Sequence, residues 1–303
     1  MDLAIIVLKQ LIIMLILIAF GIICSKTKII EKDTNKKLSD LLLYIVSPTV
    51  IITAYQQPFK KEVFHGILWT LLLSCISIGL SIILSYLVIR TKDKGNRDIE
   101  RFALIYNNCG FMGIPLIDSI FGSEGVIYLT AYLTIFNILV WSHGHMSMKG
   151  QTDIKSLTKA LKAPAVIATV IGFTLYATNI RLPEIVVKSL DYISGMNTPL
   201  AMLIAGSTIA VSKITPALKK PSVYYVTILS LLVFPLLTIL ATRFIPAPEI
   251  TYTTVAILSA TPVAAIGTIF AVKYDKNSEY SSQIFSVTTI LSAITIPLVA
   301  LCV

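Results

Sequence analysis

From Leu3 to Cys24 the chain carries a single charge, Lys9, in an otherwise apolar run. A run of that length has few folded solutions. Crossing about 30 Å of hydrocarbon takes about 20 apolar residues. In lipid every backbone N–H and C=O must be satisfied within the protein, which leaves the helix as the natural spanning form. Nine further stretches repeat the pattern: Leu41–Gln57, Val63–Ile89, one starting at Phe102, Gly125–Met148, Ala163–Ile180, Glu184–Ser212, Pro221–Thr242, Ile250–Val272 and Ser281–Val303. Composition agrees. The AVILMFWYC set makes up 55% of 303 residues and charged residues only 14%, with a mean hydropathy of +0.83, against about 25% charged in a soluble domain. Disorder, coiled coil, disulfide scaffold and nucleic-acid-binding domain are excluded as overall descriptions. The expected fold is all-α and polytopic, with ten transmembrane helices, here called spans 1 to 10.

The net charge of +9 reads as topology rather than nucleic-acid binding. Lys and Arg concentrate in the odd-to-even connections, for example Lys26 to Lys37, Arg90 to Arg101, Lys149, Lys155, Lys159 and Lys162, Lys213 to Lys220, and Lys273 to Lys276. The opposite side keeps Lys9, Lys60, Lys61, Arg181, Lys188 and Arg243. The positive-inside rule puts the basic side in the cytoplasm of a cell membrane and both termini outside. Span 1 lacks a basic n-region and an A-x-A site, so it is read as a span and not a signal peptide. The longest connection, Ser25 to Asp40, is too short for a soluble domain. Cys24, Cys75, Cys109 and Cys302 sit in apolar stretches and read as small buried hydrophobes.

The two halves echo each other. Lys37-Leu-Ser-Asp40 is followed eight residues later by Pro48, and Lys188-Ser-Leu-Asp191 eight residues later by Pro199. Pro48 and Pro199 lie 151 residues apart, and Pro115 and Pro262 lie 147 apart. The spacing predicts a five-helix unit used twice, over residues 1–148 and 149–303. Because five is odd, the second copy is inverted, as in many secondary transporters.

The repeat points to a site. Span 4 reads Tyr106-Asn107-Asn108-Cys109-Gly110-Phe111-Met112-Gly113-Ile114-Pro115, and span 9 reads Leu258-Ser259-Ala260-Thr261-Pro262 up to Gly267. Proline inside a helix removes a backbone hydrogen bond and clashes with the preceding turn. Gly/Pro-interrupted segments at matching positions of two halves mark a transporter binding site. An unwound helix offers free N–H groups and a partially positive helix start, and asparagine offers a donor and an acceptor without charge. Such a cradle suits a carboxylate. The plainer alternative is a pair of proline kinks whose asparagines bond a neighbouring helix.

These residues resemble the auxin efflux carrier family of bacterial permeases and plant PIN-type carriers. The likeness rests on Asn108-Cys-Gly-Phe-Met-Gly-Ile-Pro115-Leu, Phe121-Gly122, Pro199 to Gly206, Thr261-Pro262 to Tyr274, and Ser292 to Pro297, and covers essentially the whole chain. The resemblance implies a scaffold of spans 1, 2, 6 and 7 and a mobile transport domain of spans 3–5 and 8–10, with spans 4 and 9 crossing at their breaks. It implies a small organic anion, such as malate, malonate or an auxin-like acid, carried by an elevator-type step, and a possible homodimer through the scaffold. It matches Asn108 to the family's first crossover asparagine, and together with the reading of the breaks the candidate substrate-binding residues are Asn107, Asn108, Gly110, Gly113, Pro115, Asn137, Ser259, Thr261 and Pro262. Span 9 has no asparagine near Pro262, so that half of the site selects differently.

Other intramembrane polar residues have two readings each. Asn137 lines the path or bonds a neighbouring helix. Asp118 binds a coupling ion or sits at the outer interface. Asp40 and Asp191 cap helix starts or pair with the lysine three residues before, with ion coupling by Asp191 as the sharper alternative. His143 and His145 point apart on a helix and make a poor metal pair. No metal or cofactor is expected, and no HExxH, GxSxG or Walker loop suggests an enzyme. An anion channel, or a carrier of an unrelated solute, is the competing function; saturation and counterflow separate a carrier from a channel.

Overall fold

The computed structural model describes residues 3–150, 161–212 and 214–303. Lys155, Lys159 and Lys213 of the basic connections lie outside the described residues. The described chain is helical almost throughout: α1 (Leu3–Lys26), α2 (Lys32–Ala54), α3 (Lys61–Val88), α4 (Lys94–Ile105), α5 (Gly113–Lys149), α6 (Pro164–Ala177), α7 (Glu184–Ser194), α8 (Asn197–Val211), α9 (Pro221–Thr242), α10 (Glu249–Ser259), α11 (Ile266–Lys273) and α12 (Ser278–Ala300). Six of them, α1, α2, α3, α5, α9 and α12, are long and apolar enough to cross a membrane. The remaining stretches expected as spans consist of shorter helices.

The starts follow local chemistry. Asp93 accepts the N–H of Asn96 at 2.7 Å and Asn277 that of Tyr280 at 3.0 Å, each an N-cap. Pro164 and Pro221 occupy first helical turns, where the missing N–H removes no bond.

Several expectations need correcting. Span 2 begins at Lys32, so Asp40 lies inside α2, and Asp191 lies near the end of α7. Neither caps a helix start, and Lys188 pairs with Glu184 at 2.6 Å rather than with Asp191. Span 7 is two helices, α7 and α8. Pro115 does not break a helix: it sits in the first turn of α5, and the non-helical stretch precedes it. Spans 4 and 5 meet inside α5 at Gly122, whose φ of 61° and ψ of −154° only glycine adopts readily. Of the four cysteines only Cys109 is buried; Cys75 and Cys302 are exposed.

Close backbone approaches set the packing. A Cβ on Gly206 would lie 2.1 Å from the Ile18 carbonyl oxygen, and one on Gly21 would lie 2.5 Å from that of Leu203, so α1 and α8 touch main chain to main chain. Small residues permit such crossings. A Cβ on Gly172 of α6 would meet the ring of Tyr55, the residue that caps the end of α2, at 2.6 Å. Rows of exposed apolar residues, such as Ile12, Ile16, Phe20 and Ile23 on α1, suit hydrocarbon rather than water.

Polar contacts sort the helix ends into two groups. Lys276 pairs with Asp98 at 2.6 Å, Tyr280 donates to Glu100 at 2.7 Å, Lys220 donates to Gln283 at 3.0 Å, and Tyr225 donates to the Val88 carbonyl at 3.2 Å. These tie together the ends around the 3–4, 7–8 and 9–10 connections. Elsewhere, the Tyr176 hydroxyl accepts from the Lys60 N–H at 2.8 Å, and the Leu182 N–H donates to Gln56 at 3.0 Å. That second group joins the 2–3 and 6–7 connections.

Candidate functional site at the crossing of two interrupted segments

Between α4 and α5 the backbone leaves the helix at Tyr106 and returns at Gly113; between α10 and α11 it does so from Ala260 to Ala265. The two segments lie against each other. Asn107 and Val263 form an antiparallel bridge in which the Asn108 N–H donates to the Pro262 carbonyl at 2.5 Å and the Ala264 N–H to that of Tyr106 at 3.0 Å. Each break thus satisfies part of the other's freed backbone, as a low-dielectric interior demands. The Val263 N–H donates to the Thr288 hydroxyl of α12 at 3.3 Å.

Fewer N–H groups are free than an unwound helix offers in principle. Met112 and Gly113 donate to the Asn108 carbonyl at 3.1 and 3.3 Å, and Ile114 to that of Gly110 at 3.2 Å. No backbone carbonyl receives the N–H of Cys109, Gly110 or Phe111. Gly110 has room for a Cβ, whose nearest neighbour would be Leu133 at 3.9 Å. Gly113 has none: a Cβ there would lie 2.6 Å from Leu258 Cδ2.

The two asparagines differ. Asn107 Nδ2 donates to the Leu258 carbonyl at 2.8 Å and to the Tyr132 hydroxyl at 3.1 Å, which locks its amide in place. Its Oδ1 is buried without a partner. Asn108 is 6% exposed, and its Nδ2 is buried without a partner. A buried, unsatisfied amide is a standing cost that a ligand can relieve. In extended backbone neighbouring side chains point to opposite sides, so the two amides serve opposite sides of the crossing.

On the second segment the polar side chains are already occupied. Ser259 donates to the Ala256 carbonyl and Thr261 to that of Leu258, both at 2.7 Å. Pro262 contributes its carbonyl to Asn108. Asn137 bonds neither a neighbouring helix nor the crossing; its Nδ2 donates to the Leu133 carbonyl of its own helix at 2.8 Å. Pro115 lies in the helix start beside the crossing, while Asp118 and Asp191 are exposed on separate helices. The structure therefore gathers Asn107, Asn108, Gly110, Gly113, Thr261 and Pro262, and leaves the two acids apart. His143 accepts or donates with Tyr106 at 2.8 Å.

Sequence reasoning missed Tyr132 and Thr288. Both are polar residues in otherwise apolar helices, which was the available signal. Tyr132 positions Asn107, and Thr288 holds the Val263 N–H.

The family described as membrane transport protein matches residues 6–153 and 150–300. An uncharacterized transporter of Methanothermobacter thermautotrophicus is 23% identical over 291 residues, which covers 94% of each chain. An uncharacterized transporter of Methanocaldococcus jannaschii is 22% identical over 302 residues, covering 94% of this chain and 95% of its own.

Proposed function

The chain belongs to the membrane transport protein family, the auxin efflux carrier family that its motifs resemble, and from that premise we propose that it is a secondary transporter of a small organic anion. Membership makes it a multi-pass membrane transporter and is consistent with its not being an enzyme. The substrate class, the site and the elevator-type step are our reading. The carrying observation is the Asn108 amide, buried at the crossing with no partner for its Nδ2. A carboxylate oxygen supplies the missing acceptor, and the 109–111 turn, whose N–H groups no backbone carbonyl receives, supplies further donors. The site uses dipoles, so the anion is held without a buried lysine that would compete with release.

Two observations support ten spans in an inverted 5+5 repeat. The polar ties sort the connections into two groups, with the 3–4, 7–8 and 9–10 ends in one and the 2–3 and 6–7 ends in the other. A basic cytoplasmic face and termini outside follow from that alternation. The close approaches also repeat. Gly21 against Gly206 and Gly172 against Tyr55 are the same pair shifted by 151 residues with the partners exchanged, the offset that separates Pro48 from Pro199.

The pairing of α1 with α8 and of α2 with α6 supports a scaffold of α1, α2 and α6–α8. The crossing then rides with α3–α5 and α9–α12. The test is counterflow in proteoliposomes preloaded with unlabelled malate, malonate or indole-3-acetate. We expect saturable uptake of the labelled acid that is lost in Asn108→Ala. Uptake unchanged by that substitution would refute the site, and current far above carrier rates would refute the carrier.

A further inference from the structure

Where α1 and α8 diverge past their glycine crossing, they leave a cleft of about 470 Å³. Gly21 and Gly206 hold the two backbones in contact, and the next turn of each helix forms the walls: Ile22 and Lys26 on α1, Ile209 and Ala210 on α8. Ser212 and Thr215 close the floor as the chain turns past Pro216. The volume lies within the usual range of small-ligand sites.

We propose that this cleft binds the phosphate of a membrane phospholipid headgroup. Lys26 brings the positive charge, and among the described residues no acidic side chain lines the cleft. Ser212 lines the cleft, and its Oγ, just below the accessible surface, has no hydrogen-bond partner, an uncommitted donor at the wall. A helix C-terminus ordinarily repels an anion. At the end of α1 that repulsion is muted, because the Ile23, Cys24 and Ser25 carbonyls accept the N–H groups of Thr27, Ile30 and Lys28 at 2.9, 3.0 and 3.1 Å.

The surroundings select a lipid over a free ion. Ile23 and Val211, each beside a lining residue in sequence, are 54% and 70% exposed, which offers acyl chains an apolar path away from the cleft. Basic pockets between transmembrane helices near the cytoplasmic surface bind anionic headgroups by this chemistry. The site joins α1 to α8 and stands apart from the crossing, so it does not depend on the substrate reading.

The test uses the full chain, purified in detergent and stripped of lipid. Thermal unfolding is followed while phosphatidylglycerol, diacylglycerol or inorganic phosphate is titrated in. Phosphatidylglycerol is expected to raise the melting temperature in a saturable way, and diacylglycerol is not. Lys26→Gln and Ser212→Ala should each weaken the apparent lipid affinity about fivefold, while Lys26→Arg keeps it. An equal response to diacylglycerol, or to lipid in Lys26→Gln and wild type alike, would overturn the proposal. Inorganic phosphate matching the lipid at equal concentration would overturn the lipid source and assign the cleft to free phosphate.

Discussion

Tyr55 and Thr130 make a hydrogen bond whose two ends are unequal, and that inequality predicts a double-mutant result. The hydroxyls lie 2.7 Å apart, with Tyr55 1% exposed and Thr130 fully buried. Thr130 spends its proton on the Ile127 carbonyl at 2.7 Å, so Tyr55 is the donor between them. Tyr55→Phe removes the donor and orphans nothing, since Thr130 keeps Ile127; the cost is that of one net hydrogen bond, about 1 kcal/mol. Thr130→Val keeps the shape but strands the hydroxyl of the buried Tyr55, at about 1–3 kcal/mol. The double variant replaces both partners by apolar groups of like shape and is expected to be milder than Thr130→Val alone. Unfolding of the four proteins by denaturant in detergent measures the cycle. Costs that simply add would refute the assignment of donor and acceptor. The bond also joins α2 to α5, scaffold to moving body in the proposed function. If it breaks during the step, Tyr55→Phe shifts the balance of states by about fivefold, which a changed half-saturation in counterflow would report.

Three further outcomes follow from the same geometry. Asn107→Ala removes the two hydrogen bonds its Nδ2 donates, to the Leu258 carbonyl and the Tyr132 hydroxyl, and is expected to lower stability by about 1–3 kcal/mol, whereas Asn108→Ala removes an amide whose Nδ2 is unpaired and leaves the unfolding midpoint near wild type while counterflow falls; equal midpoints for the two would contradict this. Gly206→Ala forces α1 and α8 apart, because its Cβ meets backbone, and overpacking of this kind costs about 1–3 kcal/mol; a thermal-unfolding midpoint equal to wild type would show that the helices are not in contact. Asp98→Asn leaves Lys276 charged with only 12% of its side chain exposed, and a loss of about 3–5 kcal/mol by denaturant unfolding is expected, largely restored by adding Lys276→Met.

Much of this molecule was legible because lipid is a demanding solvent. The apolar stretches predicted α1, α3, α9 and α12 to within a few residues, since hydrocarbon thickness fixes length. The interruptions were legible because asparagine, glycine and proline cluster there for backbone reasons. Boundaries failed where a polar segment continued a helix, as at Lys32 to Asp40, because exposed charge does not stop a helix that an apolar continuation anchors. Roles failed where the answer depends on a partner. Pro115 reads as a breaker in any window, yet it sits in the first turn of α5, after the non-helical stretch rather than at its centre. Asn107 and Asn108 are identical in sequence terms and opposite in the fold, one amide donating twice and the other unpartnered through its Nδ2.

The glycines carry the same lesson further. Gly21 and Gly172 lie 151 residues apart, as do Tyr55 and Gly206, and neither spacing means anything until the packing pairs Gly21 with Gly206 and Gly172 with Tyr55. In the proposed repeat the two contacts correspond although their residues differ, because a close approach needs only one small partner. At the first crossing both partners are glycine and the main chains touch; at the second one partner is a tyrosine, and the glycine opposite makes room for its ring. That ring ends in the hydroxyl bound to Thr130. In the proposed repeat, the contact with a tyrosine in place of a second glycine is also the one that carries a polar tie between α2 and α5, a bond that the proposed motion of the two bodies would break.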